Sequence, residues 1–243
     1  MKNMIEMQLK ALFKNKIMII NFVIYPSLLT FIIGYLAESY FNSGITSYEY
    51  YSNSMMIFLF MGAGLLGIYN LGDVEVVGGN LRTMYMPVPK RYIYISQIIS
   101  STIFSAISIV LNILIFKYLF KVNYAGNELI IILSFITLAF LSNGLGMFLL
   151  SLVKEIGICN GVFNLIQAIL CTLGGAFISL EGFGGILSFL TKLSPVKYLI
   201  EGILNSIYDN STGMLWIIIM INILLGLFFL VITKKTFKVE KYL

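Results

Sequence analysis

The chain of 243 residues contains no histidine, and this absence excludes several kinds of chemistry. Without imidazole there is no serine–histidine catalysis, no histidine-ligated zinc and no proton relay through histidine. The two cysteines, Cys159 and Cys171, fall in one predicted helix, which separates them by about 18 Å, too far for a disulfide. The sequence therefore offers no candidate catalytic residue and no candidate metal ligand.

Nucleotide-binding motifs are also missing. No G-x-x-x-x-G-K-[ST] segment occurs, so the chain cannot hold the phosphates of ATP by itself. Gly62, Gly64 and Gly67 match G-x-G-x-x-G by letter, but they lie inside an apolar run with no strand before them. We interpret them as glycines that allow close helix packing.

Charge is scarce and apolar residues are abundant, at 11% and 59% of the chain. This balance predicts an all-α membrane protein. Six apolar runs are each long enough to cross a bilayer as a helix, and they fall at Ile17–Ala37, Ser54–Gly72, Tyr92–Phe116, Leu129–Val153, Ile156–Leu180 and Met214–Thr233. Little lies between them, so residues 17–243 are predicted to form one membrane domain.

The interiors of these runs contain no Asp, Glu, Lys or Arg. Carriers coupled to an ion gradient need an ionisable group inside the membrane to bind or relay the driving ion. A transporter of this composition would draw its energy from elsewhere, and a docked ATPase is the obvious source. An ATPase-independent carrier is accordingly disfavoured.

The distribution of basic residues predicts the orientation. With the N-terminus inside, twelve of the sixteen lysines and arginines fall on the cytoplasmic side, so both chain termini are predicted to be cytoplasmic. The net charge of +5 reflects this asymmetry rather than nucleic-acid binding. Residues 1–16 carry charges on one side and apolar residues on the other, which favours an amphipathic interfacial helix on the inner leaflet over a frayed topology signal.

The loop at residues 73–91, between the second and third runs, has more charge, glycine and proline than a simple connector needs. It predicts a docking surface for another protein; the alternative is that its charges only stop the helices at the headgroups. A shorter polar break at Lys154–Glu155 is predicted on the same side. The candidate docking residues are Asp73, Glu75, Asn80, Arg82, Pro87, Lys90, Arg91, Lys154 and Glu155.

The fifth run carries a polar stripe and a row of small residues. The stripe is Asn160, Asn164 and Gln167, and uncharged polar groups at this depth face protein or water rather than lipid. Small residues permit close approach of helices, and those predicted to pack are Gly157, Gly161, Ala168 and Gly175. A substrate path and simple intramolecular packing both remain open for this helix. Residues 181–210 are too polar and too broken by glycine and proline to cross the membrane again.

Together these features resemble the type-2 ABC transporter membrane permeases. The resemblance rests on the order of elements and on two motifs: Glu75, Gly78 or Gly79, Leu81 and Pro87–Val88–Pro89–Lys90–Arg91, and later Gly174–Gly175 with Leu193–Ser194–Pro195 and Glu201. It implies that residues 73–91 hold a cytoplasmic coupling helix, which docks on a separate ABC ATP-binding subunit. It also implies a substrate path along Met61 and Tyr69 of the second span with Asn160, Asn164 and Gln167 of the fifth. It further implies that residues 181–210 form an extracellular re-entrant helical segment before the last span.

By the same resemblance, the chain is a non-catalytic permease subunit in a bacterial plasma membrane. ATP and Mg²⁺ would bind to the partner ATPase, and a second copy of this chain or a related permease would complete a dimeric pore. The Met- and Phe-rich, uncharged spans favour export of a hydrophobic or amphipathic substrate, such as a peptide toxin, a bacteriocin or a peptide antibiotic. The alternatives are export of a drug, lipid-linked glycan or ion, or a non-transporting immunity or scaffold protein.

Overall fold

The computed structural model describes residues 1–41, 46–72, 91–153, 155–177, 189–192 and 194–236, and every regular element among them is a helix. These elements are α1 (Lys2–Lys14), α2 (Lys16–Ile19), a π-helical turn (Ile20–Ile24), α3 (Tyr25–Leu36), a 3₁₀ turn (Glu38–Tyr40), α4 (Ser47–Met61), α5 (Gly64–Gly72), α6 (Arg91–Leu119), α7 (Glu128–Leu152), α8 (Ile156–Leu173), α9 (Pro195–Tyr208) and α10 (Gly213–Thr236).

Six helical segments of the described chain are long and apolar enough to cross a membrane, which confirms the predicted fold class. In order, the spans are Lys16–Leu36, Ser47–Asn70, Tyr92–Leu119, Glu128–Leu152, Ile156–Leu173 and Gly213–Thr236. We call the end of the bundle where the first span begins the α1 end, and the opposite end the far end.

Two span boundaries differ from the predicted ones by seven residues, while the others agree to within three. The second span begins at Ser47 rather than Ser54, because Thr46 and Glu49 form a capping box that starts the helix inside a polar stretch. The fifth span ends at Leu173 rather than Leu180. Gly174 follows the last helical residue, and its missing side chain lets α9 come close at this point. A Cβ at Gly174 would lie 2.5 Å from Cβ of Val196, near the start of α9.

The fourth span lies at the centre of the bundle and packs against the second, third and sixth spans. A Cβ on its Gly146 would collide with the Gly64 backbone, and a Cβ on Gly64 would collide with the Ser142 carbonyl of the fourth span and the Phe163 ring of the fifth. The interpretation of Gly64 as a helix-packing residue is therefore confirmed. Ser142 stabilises the break between α4 and α5, since its hydroxyl donates to the Met61 carbonyl and accepts from the Gly64 N–H at 2.9 Å.

Helix α1 packs across the third span near its start. Leu12 is buried there, Phe13 meets Phe104 edge-on at 5.1 Å between ring centroids, and the Ser100 hydroxyl donates to Gln8 at 3.2 Å. The charged side faces outward, where the Lys10 ammonium binds Glu6 at 2.8 Å and lowers the pKa of that carboxyl. The amphipathic pattern of the sequence thus places one face on protein and leaves the other exposed.

Candidate functional site

A cavity of about 590 Å³ lies between the first, second and fifth spans, in the half of the bundle nearest the α1 end. This volume is typical of sites for small organic ligands. Its apolar walls are Ile17, Met18, Phe22, Phe58, Leu59, Leu65, Leu66 and Ile156. The cavity is open to the surface, because Ile17, Tyr25 and Tyr69 on its rim are 65%, 41% and 41% exposed.

The polar groups of the cavity are all uncharged. Among the described residues that line it, the polar side chains are Asn15, Asn21, Tyr25, Tyr69, Asn164 and Gln167. The Asn15 side chain caps α2, because its Oδ1 accepts a hydrogen bond from the Ile17 N–H at 3.0 Å. Gln167 donates to the Phe58 carbonyl at 2.8 Å and ties the fifth span to the second. Asn164 is exposed and projects the most accessible amide of the fifth span.

Three of the five residues predicted to line a substrate path meet in this cavity, namely Tyr69, Asn164 and Gln167. The other two do not line it. Met61 is buried in the apolar core beside the break in the second span. Asn160 is half-buried, and its Oδ1 has no hydrogen-bond partner among the described residues.

The small residues of the fifth span lie on its outer surface. Gly157, Gly161 and Ala168 are exposed, and no described atom lies within 4 Å of the Cβ that a side chain at 161 would carry. Within the described part of one chain, these three positions do not pack against another helix. Gly175 lies beyond the end of the helix with a φ of +81°, a left-handed conformation that suits the turn leading out of the span.

At the far end of the bundle, side chains of the second span are hydrogen-bonded to the segment after the fifth span and to α9. The Tyr50 hydroxyl donates to the Gly175 carbonyl at 2.6 Å, and the Tyr51 hydroxyl donates to the Phe177 carbonyl at 3.3 Å. Tyr208, at the end of α9, donates to the Glu49 carboxylate; burial and this hydrogen bond raise the pKa of Tyr208. We call these three hydrogen bonds the far-end latch.

One residue of the latch, Phe177, contacts the cavity wall. Phe58 forms part of the cavity wall, and its ring packs edge-on against Phe177 with 5.1 Å between centroids. Gln167 binds the carbonyl of the same Phe58. Phe58 thus connects the cavity wall to the far-end latch, while the exposed rim residues Ile17 and Tyr69 lie toward the α1 end.

Most of the predicted docking residues lie outside the described part of the chain. These are Asp73, Glu75, Asn80, Arg82, Pro87, Lys90 and Lys154. Arg91 is the first residue of α6, and the structure describes its backbone but not its side chain. Glu155 is exposed at the start of the fifth span, at the α1 end.

Sequence reasoning missed the contribution of the first span, which supplies Asn21 and Tyr25 to the cavity. A signal for it was present in Asn21 and Pro26, two residues that interrupt an otherwise apolar run. A proline inside a helix removes a backbone donor and bends the chain. The structure has a π-helical turn at Ile20–Ile24, immediately before Tyr25–Pro26.

Six apolar spans, three of which line a cavity with no charged side chain among its described residues, define a multi-pass membrane protein with space for a solute. The profile of the ABC-2 type transporter family matches residues 1–208, and the chain belongs to this family. Membership makes it a permease subunit of an ABC transporter, which works with an ABC ATPase. No curated protein matches the chain.

Proposed function

We propose that this permease exports hydrophobic or amphipathic cargo, with peptide antibiotics, bacteriocins or peptide toxins as the favoured class. The observation that carries the proposal is the cavity between the first, second and fifth spans. Apolar walls suit an apolar cargo surface, while Tyr69, Asn164 and Gln167 offer hydrogen-bonding groups. No charged side chain is among its described lining residues, so nothing there selects an ion by its charge.

The direction of transport follows from combining the cavity with the predicted orientation. The positive-inside distribution puts the α1 end at the cytoplasm. The cavity is accessible in that half, and the far-end latch bounds it on the other side. Cargo would therefore enter from the cytoplasm or inner leaflet of a bacterial plasma membrane and leave after the latch opens.

The energy would come from ATP and Mg²⁺ bound to the partner subunit. Residues 73–91 would contact that subunit first, and Lys154–Glu155 would make a second, smaller contact. Glu155 is exposed at the α1 end, the end that the proposed docking requires. Charged groups of both signs in a short loop suit recognition, since complementary charges fix the register of an interface.

A second copy of the chain would complete the pore. The exposed row of Gly157, Gly161 and Ala168 lets another helix come close, and Asn164 on the same helix lines the cavity. A partner seated on this row would cover the open side of the cavity next to Asn164. The two ATP-binding subunits would then act on one shared path.

The experiment uses the complex of the permease with its ATPase in lipid vesicles, with an amphipathic peptide antibiotic as cargo. Asn164→Leu removes the accessible amide without adding charge. A net hydrogen bond contributes about 0.5–1.5 kcal/mol, so the apparent KM for the peptide should rise roughly threefold to tenfold. Basal ATP hydrolysis should stay unchanged.

Asn222→Leu is the matched control, because it makes the same substitution in the sixth span, away from the cavity. It should leave the KM at the wild-type value. Stimulation of the wild-type complex by a lipid-linked sugar but not by peptides would refute the proposed cargo. Peptide transport with an unchanged KM in Asn164→Leu would show that the cavity is not the peptide site.

A further inference from the structure

The first span contains a proline in the middle of its apolar sequence. In an α-helix, the carbonyl of residue 22 accepts a hydrogen bond from the N–H of residue 26. Pro26 has no N–H, so the Phe22 carbonyl lacks that donor. A backbone carbonyl without a donor is costly at membrane depth, where no bulk water replaces the lost bond.

A side chain from the third span supplies the missing donor. The Asn112 amide donates to the Phe22 carbonyl at 2.8 Å and to the Ser108 carbonyl of its own helix at 2.8 Å. Its Oδ1 faces the Ser27 hydroxyl at 3.5 Å. Asn112 is fully buried, so its polar atoms are committed to these contacts.

The irregular turn next to this bond forms one wall of the cavity. The π-helical turn covers Ile20–Ile24, and the Tyr25 N–H donates to the Ile20 carbonyl, five residues back rather than four. Asn21, Phe22 and Tyr25 all line the cavity. Turns of this kind inside α-helices occur frequently at functional sites.

We propose that Asn112 is a positioning residue for the cavity. It acts through the Phe22 carbonyl: by replacing the donor that Pro26 lacks, it holds the π-helical turn and keeps Asn21 facing the cavity. A regular helix advances about 100° per residue. The π-helical turn contains one residue more than an α-helical turn. If the turn became α-helical, the segment before it would rotate relative to the part of the span beyond Pro26. Asn21 lies in that segment and would turn away from the cavity.

A cycle of three variants tests the link between the two residues. Asn112→Leu should lower the Tm of the detergent-solubilised chain by about 3–8 °C, because the Phe22 carbonyl loses its side-chain donor. Pro26→Ala restores a backbone N–H at position 26. In the double variant this N–H binds the Phe22 carbonyl, so the Tm should return to within about 2 °C of Pro26→Ala alone.

The control is Asn222→Leu. Asn222 is buried in the sixth span, and its Nδ2 has no hydrogen-bond partner within the described ranges. This substitution should not lower the Tm. If Asn112→Leu lowers the Tm equally in the native chain and in the Pro26→Ala background, Asn112 does not act through the Phe22 carbonyl and the proposal is wrong.

A second measurement separates positioning from simple stabilisation. Asn21→Cys gives a cavity-facing thiol, while the native Cys159 and Cys171 are buried. Labelling of the thiol at position 21 by a water-soluble maleimide should be at least fivefold slower in the Pro26→Ala, Asn112→Leu background than with both native residues, although the Tm has recovered. Recovery of both the Tm and the labelling rate would show that Asn112 only fills a hydrogen bond.

The effect on transport depends on the proposed function, and the other two measurements do not. In the complex with the ATPase, the double variant should lose at least fivefold in peptide transport despite its recovered Tm. If the wild-type complex moves no peptide, the proposed function fails, while the Tm cycle and the labelling of the isolated chain still decide the role of Asn112.

Discussion

The fifth and sixth spans are buried to a similar small extent but expose different chemistry. Only 22% of the fifth span and 28% of an apolar 18-residue window of the sixth are buried inside the chain. The sixth span exposes large apolar side chains, among them Trp216, Ile217, Met220, Leu224 and Phe228. The fifth exposes Gly157, Gly161, Asn164 and Ala168, flanked by larger residues such as Leu165.

The glycines of the two spans show the same contrast. In the sixth span, Gly226 faces inward, and a Cβ there would lie 2.6 Å from the Phe140 ring of the fourth span. In the fifth span, Gly161 faces outward into open space. A large apolar surface is satisfied by lipid, whereas small residues and an amide suit contact with another helix. Exposure in one chain therefore does not identify the lipid-facing surface; the chemistry of the exposed side chains does.

The largest expected effect comes from adding bulk to the fifth span. Gly161→Leu fills the groove that a second copy would occupy, and overpacking costs about 1–3 kcal/mol. We expect loss of the dimer and at least a tenfold fall in transport by the reconstituted complex. Met220→Phe adds bulk to the exposed side of the sixth span and should leave both unchanged. Equal transport by the two variants would remove the distinction between the spans.

A smaller effect is expected when each glycine is replaced by alanine. Gly226→Ala should destabilise the chain by about 1–3 kcal/mol, since the added methyl group meets the Phe140 ring. Gly161→Ala should cost nothing in the monomer, because the methyl group has open space and alanine favours a helix. Denaturant unfolding at low protein concentration measures both. A stability loss in Gly161→Ala would mean that position 161 packs inside the chain.

The smallest effect is a difference in fluorescence quenching. Trp216 is the only tryptophan, so Trp216→Phe gives a dark background. Leu165 and Leu224 are 61% and 63% exposed, and each can be changed to Trp in that background. Brominated lipids should quench a tryptophan at position 224 about twice as strongly as one at position 165, because the proposed partner chain would shield the fifth span. Equal quenching would place both spans in lipid.

The sequence predicts the number of spans because length and apolar composition decide whether a helix can cross a bilayer. It also predicts the packing role of Gly64, since a glycine within an apolar helix is unfavourable unless another backbone comes close. It predicts the cavity in part: Tyr69, Asn164 and Gln167 are polar residues on two spans that meet there. In each case the residues concerned can be recognised from the sequence of a single span.

What could not be predicted depends on contacts between distant segments. Asn112 and Phe22 are 90 positions apart, and no periodicity along the chain links them. The sequence pattern places the start of the second span too late, because Ser47–Asn53 is polar. Tertiary packing nevertheless buries Ser52 and Asn53 inside the bundle. The outward direction of Gly161 also depends on how the fifth span packs on its neighbours. A G-x-x-x-G sequence is the same whether the glycines face the inside or the outside of the bundle.

The far-end latch has a consequence for the membrane potential. A polar cavity that opened at both ends would fill with water and let ions leak, and a leak would dissipate the membrane potential. No charged side chain is among the described residues that line the cavity, so none of those residues repels ions by its charge. Under the proposed function, closure of the far end would be the barrier, and the hydrogen bonds of Tyr50 and Tyr51 to backbone carbonyls would contribute to it. An uncharged path for varied cargo would then be compatible with a maintained membrane potential.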